Sequence, residues 1–287
     1  MTGSFQRIGV AIGFSPRGEA LLAETNRLRK LWNAQLIIIH VGDKTPEGEQ
    51  KIDNLLLRQG IQKSDVTIKW KSGKASTSIL TCCKEEGIDL LVAGALKQEN
   101  VFQYYLGSVA RKILRKAGCS VLMLTSPSLT PKPYQNVVAN AEDSPYVEQA
   151  LRIACGLCSA DNARWLHIIR EIKMYGLTMS IAEQGSEEEY DDHRHGLVNY
   201  EIEVVEKLLA RIPHENVRVN IKILAGKSGF ELSKFAEKKR ADLLIVGAPP
   251  RRLGFFDRMF PHDLEYIFAD LPCDLLIVRP RKEAKGG

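Results

Sequence analysis

The chain has 287 residues, of which 44% are hydrophobic and 26% charged. That is the make-up of an ordinary globular protein, and the length suits about two domains of roughly 150 residues each. The net charge of +5 is spread thinly, with a local excess only in the short tail carrying Arg281, Lys282 and Lys285, so a nucleic-acid partner is not expected. No apolar run approaches the roughly 20 residues that span a bilayer, and the opening MTGSFQRIGV has no signal-peptide core. A cytoplasmic protein without membrane attachment is expected.

Residues 8–12 are a short β-branched run that ends at Gly13 and reads as a first strand. Ser15-Pro16 then supplies an N-cap and a proline in the first helical turn. Leu21, Thr25, Leu28 and Trp32 continue at helical spacing. Residues 36–41 read as a buried second strand, and Ile52, Leu55 and Leu56 mark a second helix within 46–60. Residues 66–70 alternate as a third strand. Gly73-Lys74 leads into a helix whose Ile79, Leu80 and Cys83 face inward. The stretch 88–125 then gives an apolar strand ending at Gly94, a polar and aromatic loop, a helix opened by Gly107-Ser108, and a final apolar strand. Strand and helix alternate throughout, the pattern of an α/β domain with a parallel sheet covered on both faces.

Residues 126–134 (SPSLTPKPY) carry three prolines and no periodicity, and read as a linker. The order then recurs. Residues 137–141 repeat the first strand, Ser144-Pro145 repeats Ser15-Pro16, and His167 stands in a strand that matches the one ending in His40. ADLLIVGA (241–248) repeats IDLLVAGA (88–95), and CDLLIVRP (273–280) repeats the strand that follows Cys119. The offset grows from 129 at Ser15/Ser144 to 153 at Gly73/Gly226, so the second copy holds an insert around 171–196. The boundaries read as 1–127 for the first domain, 128–134 for the linker and 135–287 for the second domain.

The site this pattern favours lies where the strand ending at Gly94 meets the helix opened by Gly107 and Ser108. Free amides at a helix start favour a phosphate, and Arg111 and Lys112 add positive charge in the first turn. A Gly-Ser helix start without any ligand has the same sequence, so spacing alone leaves both readings open. Asp191, Asp192, His193 and His195 are of metal-ligand types, but they are contiguous and follow Glu187 to Glu189, so they read as a solvated loop before a helix at 197–209. No metal is expected. Cys155 and Cys158 form a C-x-x-C, but they continue the apolar stripe of a helix and read as core. The remaining four cysteines lie in or beside apolar segments. The aromatic residues Phe102, Tyr104 and Tyr105, and in the second copy Phe255, Phe256 and Phe260, read as packing of the long loops.

Gly94, Gly107-Ser108, the loop between them and the cysteine strand resemble the universal stress protein family, and the resemblance covers nearly the whole chain twice. It implies two tandem, doubly wound, five-stranded parallel-sheet domains of the adenine-nucleotide α-hydrolase-like type, with strand order 3-2-1-4-5. ATP-binding members carry G-x2-G-x9-G-(S/T), with an acidic residue at the end of the first strand near the adenosine. In the first half the resemblance implies a nucleotide site at Gly94, Lys97, Gly107, Ser108, Val109, Gly13 and Val41. Lys97 replaces the second glycine and Gly13 replaces the acid. In the second half Glu142 and Gly247 are kept, while Pro250, Phe260 and Pro261 replace other motif positions and Asp263 and Glu265 bring acid to the helix start. Family members pair through their last strands, which within one chain implies a pseudo-dimer of the two halves; a homodimer of the whole chain is also compatible.

Neither the G-x-G-x-x-G of dinucleotide-binding folds nor the G-x-x-x-x-G-K-[ST] of P-loop proteins is present. No serine, cysteine or histidine has a sequence-defined base or carboxylate partner, so no catalytic residue is assigned. The expected function is therefore that of a non-catalytic stress-response protein, with ATP as a ligand of the first half and protein partners that the sequence does not identify. The competing readings are a nucleotide-free scaffold with both sites degenerate and, behind it, a slow ATPase.

Overall fold

The computed structural model describes residues 4–97, 104–105, 107–172, 187–226, 229–249, 267–268 and 271–280. In the first half, strands β1 (Arg7–Ala11), β2 (Gln35–Val41), β3 (Val66–Lys71), β4 (Leu90–Gly94) and β5 (Ser120–Leu124) alternate with helices α1 (Pro16–Trp32), α2 (Pro46–Arg58), α3 (Ala75–Glu85) and α4 (Ser108–Lys116). The second half has β6 (Asn136–Asn140), β7 (Trp165–Ile172), β8 (Val219–Ala225), β9 (Leu243–Gly247) and β10 (Asp274–Val278), with α5 (Val147–Asp161), α6 (Glu187–Leu209) and α7 (Phe230–Lys238). A two-residue antiparallel ladder pairs Leu96 with Tyr105 and Lys97 with Tyr104.

The ten main strands form one sheet in the order β8-β7-β6-β9-β10-β5-β4-β1-β2-β3. Each half is internally parallel with strand order 3-2-1-4-5. The last strands of the halves, β5 and β10, meet antiparallel, with Val121 opposite Ile277 and Met123 opposite Leu275. All five residues of β5 are buried, as befits a central strand covered on both faces. Pairing these two strands removes an unpaired apolar edge from each half.

One apolar layer joins the sheet to α1, α2, α5 and α6 through Leu22, Leu28, Ile52, Leu151, Leu157 and Val205, and it runs through both halves. The other joins it to α3, α4 and α7 through Ile79, Ile113 and Leu232. Local sequence explains the helix ends. Ser15 Oγ accepts from the amide of Gly18, and Pro16 opens α1; Thr45 Oγ1 does the same for Gly48 at α2. α1 and α5 both end on asparagine, Asn33 and Asn162, each at φ 50°. Asparagine tolerates this left-handed cap better than most side chains do.

Two carboxylates, the buried Asp161 and the half-buried Asp274, fasten the halves together. Asp161 accepts both Arg27 Nη1 contacts, at 2.8 and 3.0 Å, and the amide of Tyr134 at 2.9 Å. Asp274 accepts from the amide and hydroxyl of Thr125 at 2.8 and 2.9 Å and from the Tyr134 hydroxyl at 3.1 Å. Burial raises the Asp274 carboxyl above its ordinary value despite these donors.

Two sequence expectations fail here. The acidic run reads in the sequence as a loop before a helix at 197, but α6 begins at Glu187 and takes in Asp191, Asp192, His193 and His195. The physical reason is that Glu187, Glu188 and Glu189 suit the positive end of a helix dipole. The segment 173–186 and the side chains of 187–194 lie outside the described residues; His195 is exposed. The Ser144-Pro145 start also fails: α5 begins at Val147, after a turn in which the Val147 amide donates to the Ser144 carbonyl. Among the described residues no helix is long and apolar enough to cross a membrane.

The cysteines are all free thiols; five are buried and Cys119 is half-buried. Both members of the C-x-x-C are packed inside α5, and burial pushes the Cys155 thiol up to about 11.

Candidate nucleotide site

At the carboxyl ends of β1, β2 and β4 lies a cavity of about 450 Å³. Its lining brings together Gly13, Val41, Gly94, Gly107, Ser108 and Val109, six of the seven residues that the sequence pattern groups in the first half. The side chain of the seventh, Lys97, lies outside the described residues. This is the place where doubly wound sheets bind ligands, because the first strand sends its connection to one side and its neighbour to the other.

The polar end of the cavity is the start of α4. Gly107 is buried and extended at φ −60°, ψ 165°, and among the described residues no side chain caps the first turn. The sequence suggests Ser108 as a cap or a phosphate donor; in the fold it occupies the first helical position and is exposed. The first residues of α4 therefore line the cavity with amides that, among the described residues, have no side-chain acceptor. Across from them stands Arg17, from the first turn of α1, whose Nη2 donates to the Thr125 carbonyl at 2.8 Å. A β-carbon at Gly94 would lie 3.2 Å from Arg17 Nε, so the glycine lets this side chain cross the end of β4. Sequence reasoning missed Arg17. Its position two residues after the Ser15 cap was the available signal, but only the fold brings it 77 residues forward onto Gly94.

The floor is apolar, formed by Ile12, Leu21, Ile39, Ile79 and Ile113. An apolar slot with one cationic, amide-rich end suits a ligand that is flat and hydrophobic at one end and anionic at the other. Among the described residues no carboxylate lines it. Gly13 stands where an acid would reach in, and a β-carbon there would meet nothing within 4 Å.

The profile of the universal stress protein family matches residues 43–125 and again 133–279. The chain belongs to the universal stress protein family. Its fold resembles a protein of unknown function from Pseudomonas aeruginosa PAO1 (TM-score 0.67, 17% identity, covering 96% of this chain and 93% of that one). It also resembles a putative universal stress protein from P. aeruginosa UCBPP-PA14 (0.68, 15%, 96% and 94%) and a universal stress protein from Archaeoglobus fulgidus (0.66, 13%, 95% and 98%). At these identities the likeness shows the fold. No curated protein matched the sequence.

The two universal stress protein domains treat the equivalent position differently. Where Arg17 crosses Gly94 in the first, the backbone of Tyr146 covers Gly247 in the second: a β-carbon on Gly247 would lie 3.2 Å from the Tyr146 carbonyl. Where Val41 lines the first cavity, β7 carries Glu171, whose register partner on β8 is Leu224. The Glu171 carboxylate accepts from the amides of Gly229 at 3.0 Å and Leu232 at 3.1 Å, capping α7. Glu142 is exposed beside this region. Pro250, Phe255, Phe256, Phe260, Pro261, Asp263 and Glu265 lie outside the described residues, as do Phe102 and the side chains of Tyr104 and Tyr105.

His40 and His167 are not equivalent, which corrects the match drawn from the sequence. His167 pairs with Val138, as Ile37 pairs with Gly9, so His167 matches Ile37. The counterpart of His40 is Arg170. His40 is buried between Phe14 (4.2 Å, stacked) and Trp70 (4.8 Å, edge-on). His167 accepts from Asn220 Nδ2 at Nδ1, 2.9 Å, and burial lowers its pKa, helped by nearby Lys239. Among the described residues neither histidine contacts a nucleophile.

Proposed function

We propose that the first domain is an adenine-nucleotide sensor. ATP would lie with its base on the apolar floor and its phosphates between the α4 amide end and Arg17, and occupancy would bias the binding of protein partners in the cytoplasm. The observation that carries this reading is the α4 start, uncapped by any side chain among the described residues and sharing a cavity of about 450 Å³ with a cationic side chain. The second domain is assigned a structural role, because Glu171 and Tyr146 use the equivalent space for internal contacts. Among the described residues no general base or activated nucleophile lines the first cavity, which favours binding over hydrolysis.

The test is a thermal-stability titration of the purified protein with ATP. At a concentration about 100 times the dissociation constant, a ligand specific for the folded state stabilises it by about 2.7 kcal/mol. Ser108→Glu should abolish the shift by placing a like charge against the phosphates. An unchanged melting temperature, with no nucleotide released on denaturation of the purified protein, would show the chain to be a nucleotide-free scaffold.

A further inference from the structure

The opposite ends of the central strands hold a second cavity, of about 430 Å³. It lies among the starts of β1, β4 and β5, the end of α3, and the residues that follow β10. Cys83 and Cys119 line it together, from the last turn of α3 and the residue before β5. The two thiols thus face one cavity from neighbouring elements, and each shifts the protonation of the other. Cys83 is 5% exposed, whereas Cys119 is half-buried. Beside Cys119, Gly118 leaves open space, since a β-carbon there would meet nothing within 4 Å.

The wall is cationic. Among the described residues Arg7, Lys84, Lys116 and Arg279 line the cavity against one acid, Asp89, whose carboxylate accepts the amides of Gln6 and Arg7 at 2.9 and 3.0 Å. Arg279 belongs to the second half, and it is buried and fixed. Its amide donates to Ser120 Oγ at 3.0 Å, Nη2 to the Leu114 carbonyl at 2.7 Å, and Nη1 to the Cys119 carbonyl at 3.4 Å. The antiparallel β5–β10 pairing is what delivers this charge.

We propose that Cys119 and Cys83 are the attacking and resolving thiols of a thiol–disulfide exchange site that accepts a small anionic disulfide. A half-buried thiol in a cationic setting, with a second thiol lining the same cavity, is the arrangement such chemistry requires. The neighbouring Cys83 thiol, and then the Arg279 charge, hold the Cys119 thiol below its ordinary value in spite of burial. The other five thiols are all shifted upward. The Cys119 thiolate attacks one sulfur of the incoming disulfide, a mixed disulfide forms, and the departing thiolate takes the proton of Cys83. The Cys83 thiolate then attacks the Cys119 sulfur and displaces the second small thiolate. The two cysteines lose two electrons and the small disulfide gains them.

The probe is glutathione disulfide, applied to the full chain, followed by alkylation, non-reducing digestion and peptide mass mapping. The expected product in the wild type is a Cys83–Cys119 cross-link. In Cys83→Ser, Cys119 should instead retain one glutathionyl group, while Cys119→Ser should leave Cys83 unmodified. Glutathione disulfide should also react about tenfold faster than the uncharged hydroxyethyl disulfide at low salt, with the advantage lost at high salt. Adducts on Cys82, Cys155 or Cys158 in preference to Cys119, or a Cys119 that alkylates freely after oxidant treatment, would overturn the proposal. Equal rates for the two disulfides would overturn its ligand class. The wild-type mapping decides the matter whether or not the buried Cys83→Ser variant folds.

Discussion

His40 and Arg170 do the same work in the two halves. His40 Nδ1 lies 3.1 Å from the carbonyl oxygen of Ile12, and Arg170 Nη1 donates to the carbonyl oxygen of Ala141 at 3.0 Å. Each ties the end of the second strand of its half to the connection that leaves the first strand. The first half does this with a ring held between Phe14 and Trp70. The second does it with a charge, which must then be balanced.

That balance is Glu201 on α6, 2.5 Å from Arg170 Nε, with both side chains largely buried. Glu201→Ala should therefore cost about 3–5 kcal/mol, since it strands a buried guanidinium. Combining Arg170→His with Glu201→Leu should recover most of the loss, because the first half satisfies the same carbonyl with histidine alone. Chemical denaturation of the two variants and the wild type measures both effects. An undiminished stability in Glu201→Ala would show that the guanidinium does not depend on this carboxylate.

Arg17 separates the two ends of the nucleotide site. Replacing it by alanine should weaken ATP about tenfold, the cost of one charge-assisted hydrogen bond, and should leave adenosine affinity nearly unchanged. Isothermal titration with both ligands distinguishes this from general damage to the cavity, which would weaken them equally.

Gly13 accounts for a missing contact rather than a required shape. Its β-carbon position is open, so Gly13→Asp should fold normally. It should also strengthen adenosine binding about fivefold by supplying an acceptor for a ribose or base donor. Titration of adenosine against both proteins reads the change directly, and weaker binding in the variant would contradict the proposed placement of the base.

Asp274 should leave a signature in the pH dependence of stability. Its folded value is raised, chiefly by burial, above the ordinary 3.8. Between those two values the folded state keeps a proton that the unfolded chain has lost, so stability falls as pH rises through that window. Asp274→Asn keeps the shape, with its amide donating to the Tyr134 hydroxyl, and removes the titration. The stability difference between wild type and variant should therefore shift against the wild type as pH rises above the ordinary aspartate value of 3.8. Glu24 is also raised, mainly by burial and in smaller part by Asp274 itself, so only the part of its shift owed to Asp274 enters the difference, and with the same sign. A pH-independent difference would mean that Asp274 does not change its protonation on folding.

What the sequence determined by itself is what rests on local physics. Apolar runs set the ten strands, Ser15-Pro16 and Thr45-Pro46 set helix starts, and the repeat of IDLLVAGA as ADLLIVGA revealed the duplication. Gly94, Gly107 and Ser108 were legible as a group because one βαβ unit carries all three. What only the tertiary structure decided depends on contacts between distant segments. The match of His167 with His40 failed because strand register is fixed by hydrogen bonding to a neighbouring strand, so His167 falls opposite Val138 and Arg170 takes the place of His40. Arg17 became part of the site because α1 packs its first turn over the end of β4. Arg279 reached Cys119 because the apolar edges of β5 and β10 are both satisfied by pairing with each other, which carries a charge from one half to the start of β5 in the other.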